Sequence, residues 1–246
     1  MKPGLLSSLL RTFVVQAAWN HERMIGVGVA HAMEPLLRDL PGGRGGEAYA
    51  SALERAGQFF NAHPYLAGAA VGAVARAEHE GVAPEQVRRL RGALAGPLGS
   101  VGDKLVWAGA LPVASGVGLT VAAAVSPTVG AVAFLVLYNL AHLALRTWSL
   151  TAGWRWGTSI ARALSAPGVQ WSMRVAGPLA GLAVGVAIPV VSAWLVEELH
   201  PGARLGVAIV AAAAVVVARW LAPAFGGVRF GIAVLVLTLV LGLVWR

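Results

Sequence analysis

The stretch Leu105-Val-Trp-Ala-Gly-Ala-Leu-Pro-Val-Ala-Ser-Gly-Val-Gly-Leu-Thr-Val-Ala-Ala-Ala-Val-Ser-Pro-Thr-Val-Gly-Ala-Val-Ala-Phe-Leu-Val-Leu-Tyr-Asn-Leu-Ala-His-Leu-Ala-Leu145 contains no Asp, Glu, Lys or Arg. A water-soluble core does not require such a run. Two helices of about 20 residues each, broken near Ser126-Pro127, would cross a hydrocarbon layer of about 30 Å. Directly before it stands Gly96-Pro-Leu-Gly-Ser-Val-Gly-Asp-Lys104, which reads as a glycine-rich, charged loop leading into the lipid.

Composition agrees with a membrane chain. Of 246 residues, 57% are hydrophobic and 12% charged, and the mean hydropathy is +0.71. These values exclude disorder and argue against an ordinary soluble domain. The 31 glycines and 13 prolines sit in apolar sequence, where they suit closely packed or interrupted membrane helices. Cysteine is absent, so disulfide and thiol chemistry are excluded. The net charge of +8 raises nucleic-acid binding, but the basic residues lie in loops or near helix ends. A juxtamembrane origin explains them better, and no nucleic-acid partner is expected.

The expected fold is an all-α integral membrane protein. Residues 1–104 carry eleven of the nineteen Lys and Arg and nine of the eleven Asp and Glu. They read as amphipathic, partly membrane-embedded helices at about 4–17, 20–38, 47–60, 64–80 and 84–95, punctuated by 41–46, 61–64 and Gly81. In the first, Leu5, Leu6, Leu9, Leu10, Phe13, Val14 and Ala17 share one face, opposite Ser7, Ser8, Arg11, Thr12 and Gln16. Arg11 interrupts what would otherwise resemble a signal peptide. In the fourth, Gly68 and Gly72 would let another backbone come close. Residues 105–246 read as about five spans, at 105–125, 128–145, 175–196, 205–222 and 230–245. Gly177, Gly181 and Gly185 line one face of the third and suggest tight packing there.

Arg146, Arg155, Arg162 and Arg174 lie in an acid-free connector, whereas Glu197 and Glu198 lie in the loop at 197–204. The positive-inside rule then places the N-terminus and the 146–174 connector in the cytoplasm and the acidic loop outside.

Enzyme signatures fail. Gly99–Lys104 lacks the Gly-Lys-Ser/Thr ending of a phosphate loop, no His-Glu-x-x-His pair occurs, and no metal or cofactor site emerges. Polar clusters remain. In Gln16–Met24, Trp19, Asn20 and Glu22 stand together, with Asn20 also readable as a helix N-cap and Glu22 as a first-turn acid. In Phe59–Tyr65, Asn61 and His63 precede Pro64, a pattern equally suited to a turn. Asp103 ends the glycine-rich segment, as an ion pair with Lys104 or as a carboxylate on a polar route. Asn139 and His142 need polar partners inside the second span. Amides, carboxylates and aromatic rings are the groups that recognise a sugar, through paired hydrogen bonds and stacking on its C–H face.

The ordered motifs Arg11-Thr-Phe…Gln16-Ala-Ala-Trp-Asn-His-Glu-Arg-Met24, Phe59-Phe-Asn-Ala-His-Pro64 and Gly96-Pro-Leu-Gly-Ser-Val-Gly-Asp103 resemble subunit IID of the mannose/fructose/sorbose family of the bacterial phosphoenolpyruvate-dependent sugar phosphotransferase system. Phe134, Asn139, Arg146 and Gly153-Trp-Arg-Trp-Gly-Thr158 extend the resemblance. It implies a multi-pass protein of the bacterial inner (plasma) membrane. It also implies a IIC membrane partner with which a hexose is translocated, a IIB domain that phosphorylates the sugar, a IIA domain that supplies the phosphoryl group, and an oligomer of IIC–IID pairs. IID itself is not catalytic in that scheme. The substrate or gating candidates are Trp19, Asn20, Glu22, Asn61, His63, Asp103 and Asn139. Lys104 departs from the Ser or Pro usual in the family, and a lysine there could neutralise Asp103. A IID-like regulatory or scaffold protein that no longer transports is the alternative.

Overall fold

The computed structural model describes residues 3–196 together with 201, 202, 206 and 209. The chain up to Val191 forms one compact unit, and Ser192–Arg246 a second. The described residues are helical: α1 (Leu5–Thr12), α2 (Gly26–Leu37), α3 (Glu47–Ala56), α4 (Ala67–His79), α5 (Pro84–Leu105), a π-turn (Val106–Ala110), α6 (Leu111–Ala124), α7 (Pro127–Trp156), α8 (Ile160–Leu164) and α9 (Pro167–Val196). Among the described residues, three helical stretches are long and apolar enough to span a membrane: Pro84–Ala124, Pro127–Leu164 and Pro167–Trp194. They contain, apart from one or two end residues, the spans expected at 105–125, 128–145 and 175–196. The two expected at 205–222 and 230–245, and the acidic loop at 197–204, lie outside the described residues.

The centre of the unit is α4. Its residues Ala67–Ala75 and Ala77 are all buried, an unusual state for a helix made of Ala, Gly and Val alone over that length. Small side chains let α7 come close enough for backbone contact. A Cβ on Gly68 would lie 2.7 Å from Ser149 Oγ and 3.0 Å from Leu150 N, and one on Gly72 would collide with Trp154 N and lie 2.5 Å from Leu150 O. The fit is reciprocal, because a Cβ on Gly153 of α7 would collide with the Ala69 carbonyl. This is the close approach expected at Gly68 and Gly72, with α7 as the partner.

Polar clamps fix the shorter helices around α4. The Glu34 carboxylate of α2 meets Arg11 of α1 at 2.8 Å, Arg38 at 2.7 Å, Arg44 at 3.1 Å and the Tyr49 hydroxyl of α3 at 3.2 Å. These donors, with Arg38 foremost, pull its pKa down to about 2 against the opposing effect of burial. Arg55 of α3 grips Glu78 of α4 through two bonds of 2.7 and 2.9 Å. Arg91 of α5, buried, donates to the Ala56, Gln58 and Phe59 carbonyls at 2.9, 2.5 and 2.9 Å, so it satisfies orphan acceptors at the end of α3.

Four expectations are corrected. Residues 96–104 are not a loop: α5 runs unbroken from Pro84 to Leu105, through Pro97 and every glycine. Gly92, Gly96 and Gly99 face open space, so their missing side chains remove steric demands without requiring irregular backbone. The second span does not end at Leu145 but continues to Trp156, since Arg146 is buried on a protein-facing side. The helix expected from residue 20 starts only at Gly26. Before it, Met24 adopts φ 51° and the chain pairs with the 58–60 segment, Ile25 N–H to Phe60 O at 3.1 Å and Phe60 N–H to Arg23 O at 3.2 Å. Finally, the helix expected to residue 17 ends at Thr12; α1 turns Leu5, Ser8 and Thr12 inward, while Leu6 and Leu10, and Phe13 and Val14 just after it, are exposed. Leu6 and Leu10 of its apolar face are thus offered to the surroundings, while Leu5 and Leu9 pack on the core.

The break at Ser126-Pro127 is as expected. Ser126 Oγ accepts from Val129 N–H at 3.3 Å as the N-cap of α7, and Pro127 takes the first helical position. By contrast, a Cβ on Gly177, Gly181 or Gly185 would meet nothing within 4 Å, so their face of α9 is open among the described residues.

Introducing a methyl at the α4–α7 contact tests its centrality. Gly72→Ala and Gly153→Ala should each destabilise the protein by about 1–3 kcal/mol in an unfolding titration in detergent, as overpacking does. Gly177→Ala should be near neutral in the same titration.

Candidate functional site

At the N-terminal end of α4 the chain turns through Asn61-Ala62-His63-Pro64-Tyr65, and Leu66 N–H closes the turn on His63 O at 2.9 Å. The flank of α5 lies opposite. Gly102 makes this approach possible, because a Cβ there would collide with His63 Cβ and Cγ. Between turn and helix lies a cavity of about 590 Å³, lined by Gln16, Asn61, His63, Tyr65, Gly96, Gly99, Ser100, Asp103 and Trp107 among others. Its size falls within the range of about 300–1,000 Å³ usual for small-molecule sites.

Three sequence candidates, Asn61, His63 and Asp103, thus meet in one cavity. His63 is 4% exposed. Its Nδ1 accepts from Tyr65 N–H at 3.2 Å, so the neutral ring carries its proton on Nε2, a buried atom that has no hydrogen-bond partner among the described residues. Burial lowers the pKa of this imidazole; the Asp103 carboxylate opposes the shift and the Arg146 cation adds to it. Asp103 is exposed to the cavity, and neither it nor Lys104 has an ion-pair partner among the described residues. Successive residues of a helix point about 100° apart, which is why a lysine adjacent in sequence does not cover the carboxylate.

The other four candidates stand elsewhere. Trp19 is largely exposed and meets the His21 ring edge-on at 4.8 Å. Asn20 shapes a turn, with Oδ1 accepting from Arg23 N–H at 2.9 Å, and so is not the N-cap of α2. Glu22 is exposed on that same turn. Asn139 is exposed on α7 and donates to Leu135 O at 2.8 Å, so its own helix satisfies it. Sequence reasoning in turn missed Gln16, Tyr65, Ser100 and Trp107. Trp107 follows Asp103 by four residues, a same-face spacing that becomes visible only once the segment is known to be helical.

Behind the cavity wall lies a polar-aromatic ladder. Tyr65 stacks on His142 of α7 with centroids 4.2 Å apart and shares a 2.8 Å hydroxyl contact with Tyr138. The Arg146 guanidinium lies 4.8 Å from the Tyr65 centroid and 5.0 Å from that of Phe13. It donates to the Thr12 carbonyl and to His142 Nε2. His142 thereby finds the polar partner its depth demands.

The cavity offers a carboxylate, two amides, a hydroxyl and aromatic rings, and among the described residues no group of three or more His, Cys, Asp or Glu is placed to hold a metal. Such a donor set suits a neutral, hydroxyl-rich ligand. Comparison with known proteins assigns the family. Residues 2–197 match the family described as the PTS system mannose/fructose/sorbose family IID component. The chain belongs to that family.

Among its relatives is the mannose-specific EIID component of Escherichia coli K12, 31% identical over 158 residues, or 62% of this chain and 55% of that one. The chain thus spans about half the length of such mannose-specific relatives. The sorbose-specific EIID component of Klebsiella pneumoniae is 28% identical over 81% of this chain and 74% of its own. Among solved structures, the mannose transporter ManYZ in complex with microcin E492 contains a chain with a TM-score of 0.59 and 27% identity, covering 80% of this chain and 70% of that one. A further structure, described as a membrane protein, has a TM-score of 0.66 and 25% identity over 75% and 69%. The IID chain described here is therefore an all-helical membrane protein.

Two measurements check the site's construction. Gly102→Ala should displace His63 and loosen the cavity, seen as faster hydrogen exchange at residues 61–66. Because the lowered His63 pKa leaves the ring neutral when folded but protonated when unfolded, stability should fall as pH drops below about 6.5. His63→Gln should remove that part of the pH slope.

Proposed function

We propose that this IID chain translocates a hexose together with a IIC membrane subunit, as part of a phosphoenolpyruvate-dependent phosphotransferase complex. IIB phosphorylates the incoming sugar with a phosphoryl group delivered by IIA, and the IID chain performs no chemistry of its own. The observation that carries this reading is the convergence of Asn61, His63 and the unpaired Asp103 carboxylate in a cavity on the helix that leads into the first membrane stretch. A hydroxyl-rich ligand can use an open carboxylate as a paired, charge-assisted acceptor.

The rest of the assembly follows from the family and from charge. The complex sits in the bacterial inner membrane as an oligomer of IIC–IID pairs, with the sugar at or near their interface. The basic N-terminal region and the Arg-rich segment at 146–174 lie on the cytoplasmic side, and two spans beyond Val196 bring the number to five. The ManYZ neighbour and the mannose-, sorbose- and fructose-specific relatives support hexoses as the substrate class.

Two measurements test this. Sugar-dependent phosphorylation in membranes with and without the cognate IIC, across hexoses and amino sugars, should require both subunits. In the complete system Asp103→Asn should lower uptake efficiency by about tenfold or more, the loss expected for a charge-assisted hydrogen bond. Unchanged affinity and rate would remove Asp103 from the sugar's path.

A further inference from the structure

Trp107 is a large apolar ring in a polar cavity, and 56% of it is exposed. Its backbone is also irregular. The π-turn Val106–Ala110 carries a bond from Leu111 N–H to Val106 O, five residues back. The cause stands next in sequence: Pro112 has no N–H to give the Ala108 carbonyl four residues earlier, so the α ladder cannot run through. Packing fixes the turn from the other side, since a Cβ on Gly109 would lie 2.9 Å from Ala176 Cβ of α9. Such widened turns are rare and cluster at functional sites. This one presents Trp107 one helical turn beyond Asp103, at the rim of the cavity.

The ring's surroundings suit a ligand face. His63 meets it at 5.9 Å and 62°, an edge approach that leaves most of the indole uncovered. Gly96 and Gly99 line the same cavity, with open space where side chains would project. Asp103 and Asn61 supply hydrogen-bonding groups within the same cavity.

We propose that Trp107 is the stacking platform for a pyranose ring in this cavity, taking its C–H face on the indole while Asp103 and Asn61 engage its hydroxyls. The proposal rests on the sugar reading above and sharpens it: the site selects a cyclic sugar with an unbroken C–H face over an open-chain polyol bearing the same hydroxyls. An indole that merely anchors the helix at the lipid interface would show no such selection.

The test uses the full chain in membranes with its co-expressed partner subunits. Binding of radiolabelled D-mannose, D-fructose and L-sorbose is measured, with sorbitol as the open-chain competitor. For the sugar that binds, Trp107→Phe should hold affinity within about threefold, and Trp107→Ala should lose about tenfold or more. Sorbitol should compete poorly with the wild type. The sugar-induced change in tryptophan fluorescence should be present in the wild type and absent in Trp107→Phe, a readout that stands even if Trp107→Ala fails to assemble. Binding that is equal in all three proteins, or a fluorescence change that survives in Trp107→Phe, overturns the platform and leaves the sugar reading intact. Loss of binding in Asp103→Asn with a normal fluorescence response in Trp107→Phe would likewise count against it. If none of the sugars binds the wild type, the sugar reading itself falls.

Discussion

The backbone-to-backbone contact between α4 and α7 is the constraint on which the remaining structure hangs. Gly68 and Gly72 on one helix and Gly153 on the other remove the side chains that would hold the axes apart. Backbones that come this close gain dispersion contact along their length, which side chains at those positions would forfeit. With α4 so seated, its N-terminal end fixes the Asn61–Tyr65 turn, and that turn is one wall of the cavity. The other wall, α5, obeys the same rule at a single point, Gly102 against the His63 ring. A site for a polar ligand is thus built from the absence of side chains at a few positions.

Buried cations complete the frame by a second means. Arg146 has no carboxylate partner among the described residues. It satisfies itself on the Thr12 carbonyl, on His142 and on the faces of Phe13 and Tyr65. Arginine suits this because its flat, weakly hydrated guanidinium can stack and donate at once. One side chain of α7 therefore ties down the end of α1 and the cavity turn together. Arg91 does the same for the end of α3 through three carbonyls.

These two arginines also show where sequence reading runs out. The uncharged run, the hairpin break at Ser126-Pro127 and the glycine approach on α4 are local signals, and each is legible from a few neighbouring residues. Arg146 reads as the end of a span because its acceptor at Thr12 is 134 residues away, and no local pattern reveals the contacts that offset its burial. Gly96–Lys104 reads as a loop because helix propensity counts each glycine as a cost. Tertiary contact and burial of the opposite side, through Leu94, Leu98 and Gly102, outweigh that cost. Once the segment is helical, Asp103 and Trp107 fall on one face, and the cavity becomes readable. Trp19, Asn20 and Glu22 stand outside this cavity, on a turn whose neighbouring backbone bonds to Phe60, a placement no local pattern discloses.

The state of Asp103 ties fold to function most closely. Lys104 lies next to it in sequence, and Arg88, Arg89 and Arg91 lie on the same helix, so a cation for it was available. The helix nevertheless directs Lys104 elsewhere, commits Arg91 to backbone carbonyls and pairs Arg88 and Arg89 with Glu85. The buried His63 imidazole, with an Nε2–H unmatched among the described residues, lines the same cavity as this open carboxylate and is a local departure from full polar satisfaction. Folds that satisfy nearly every other polar group concentrate such departures where a ligand completes the set. His63 shares its cavity with Asn61, Asp103 and Trp107, the groups a hydroxyl-rich ligand would engage.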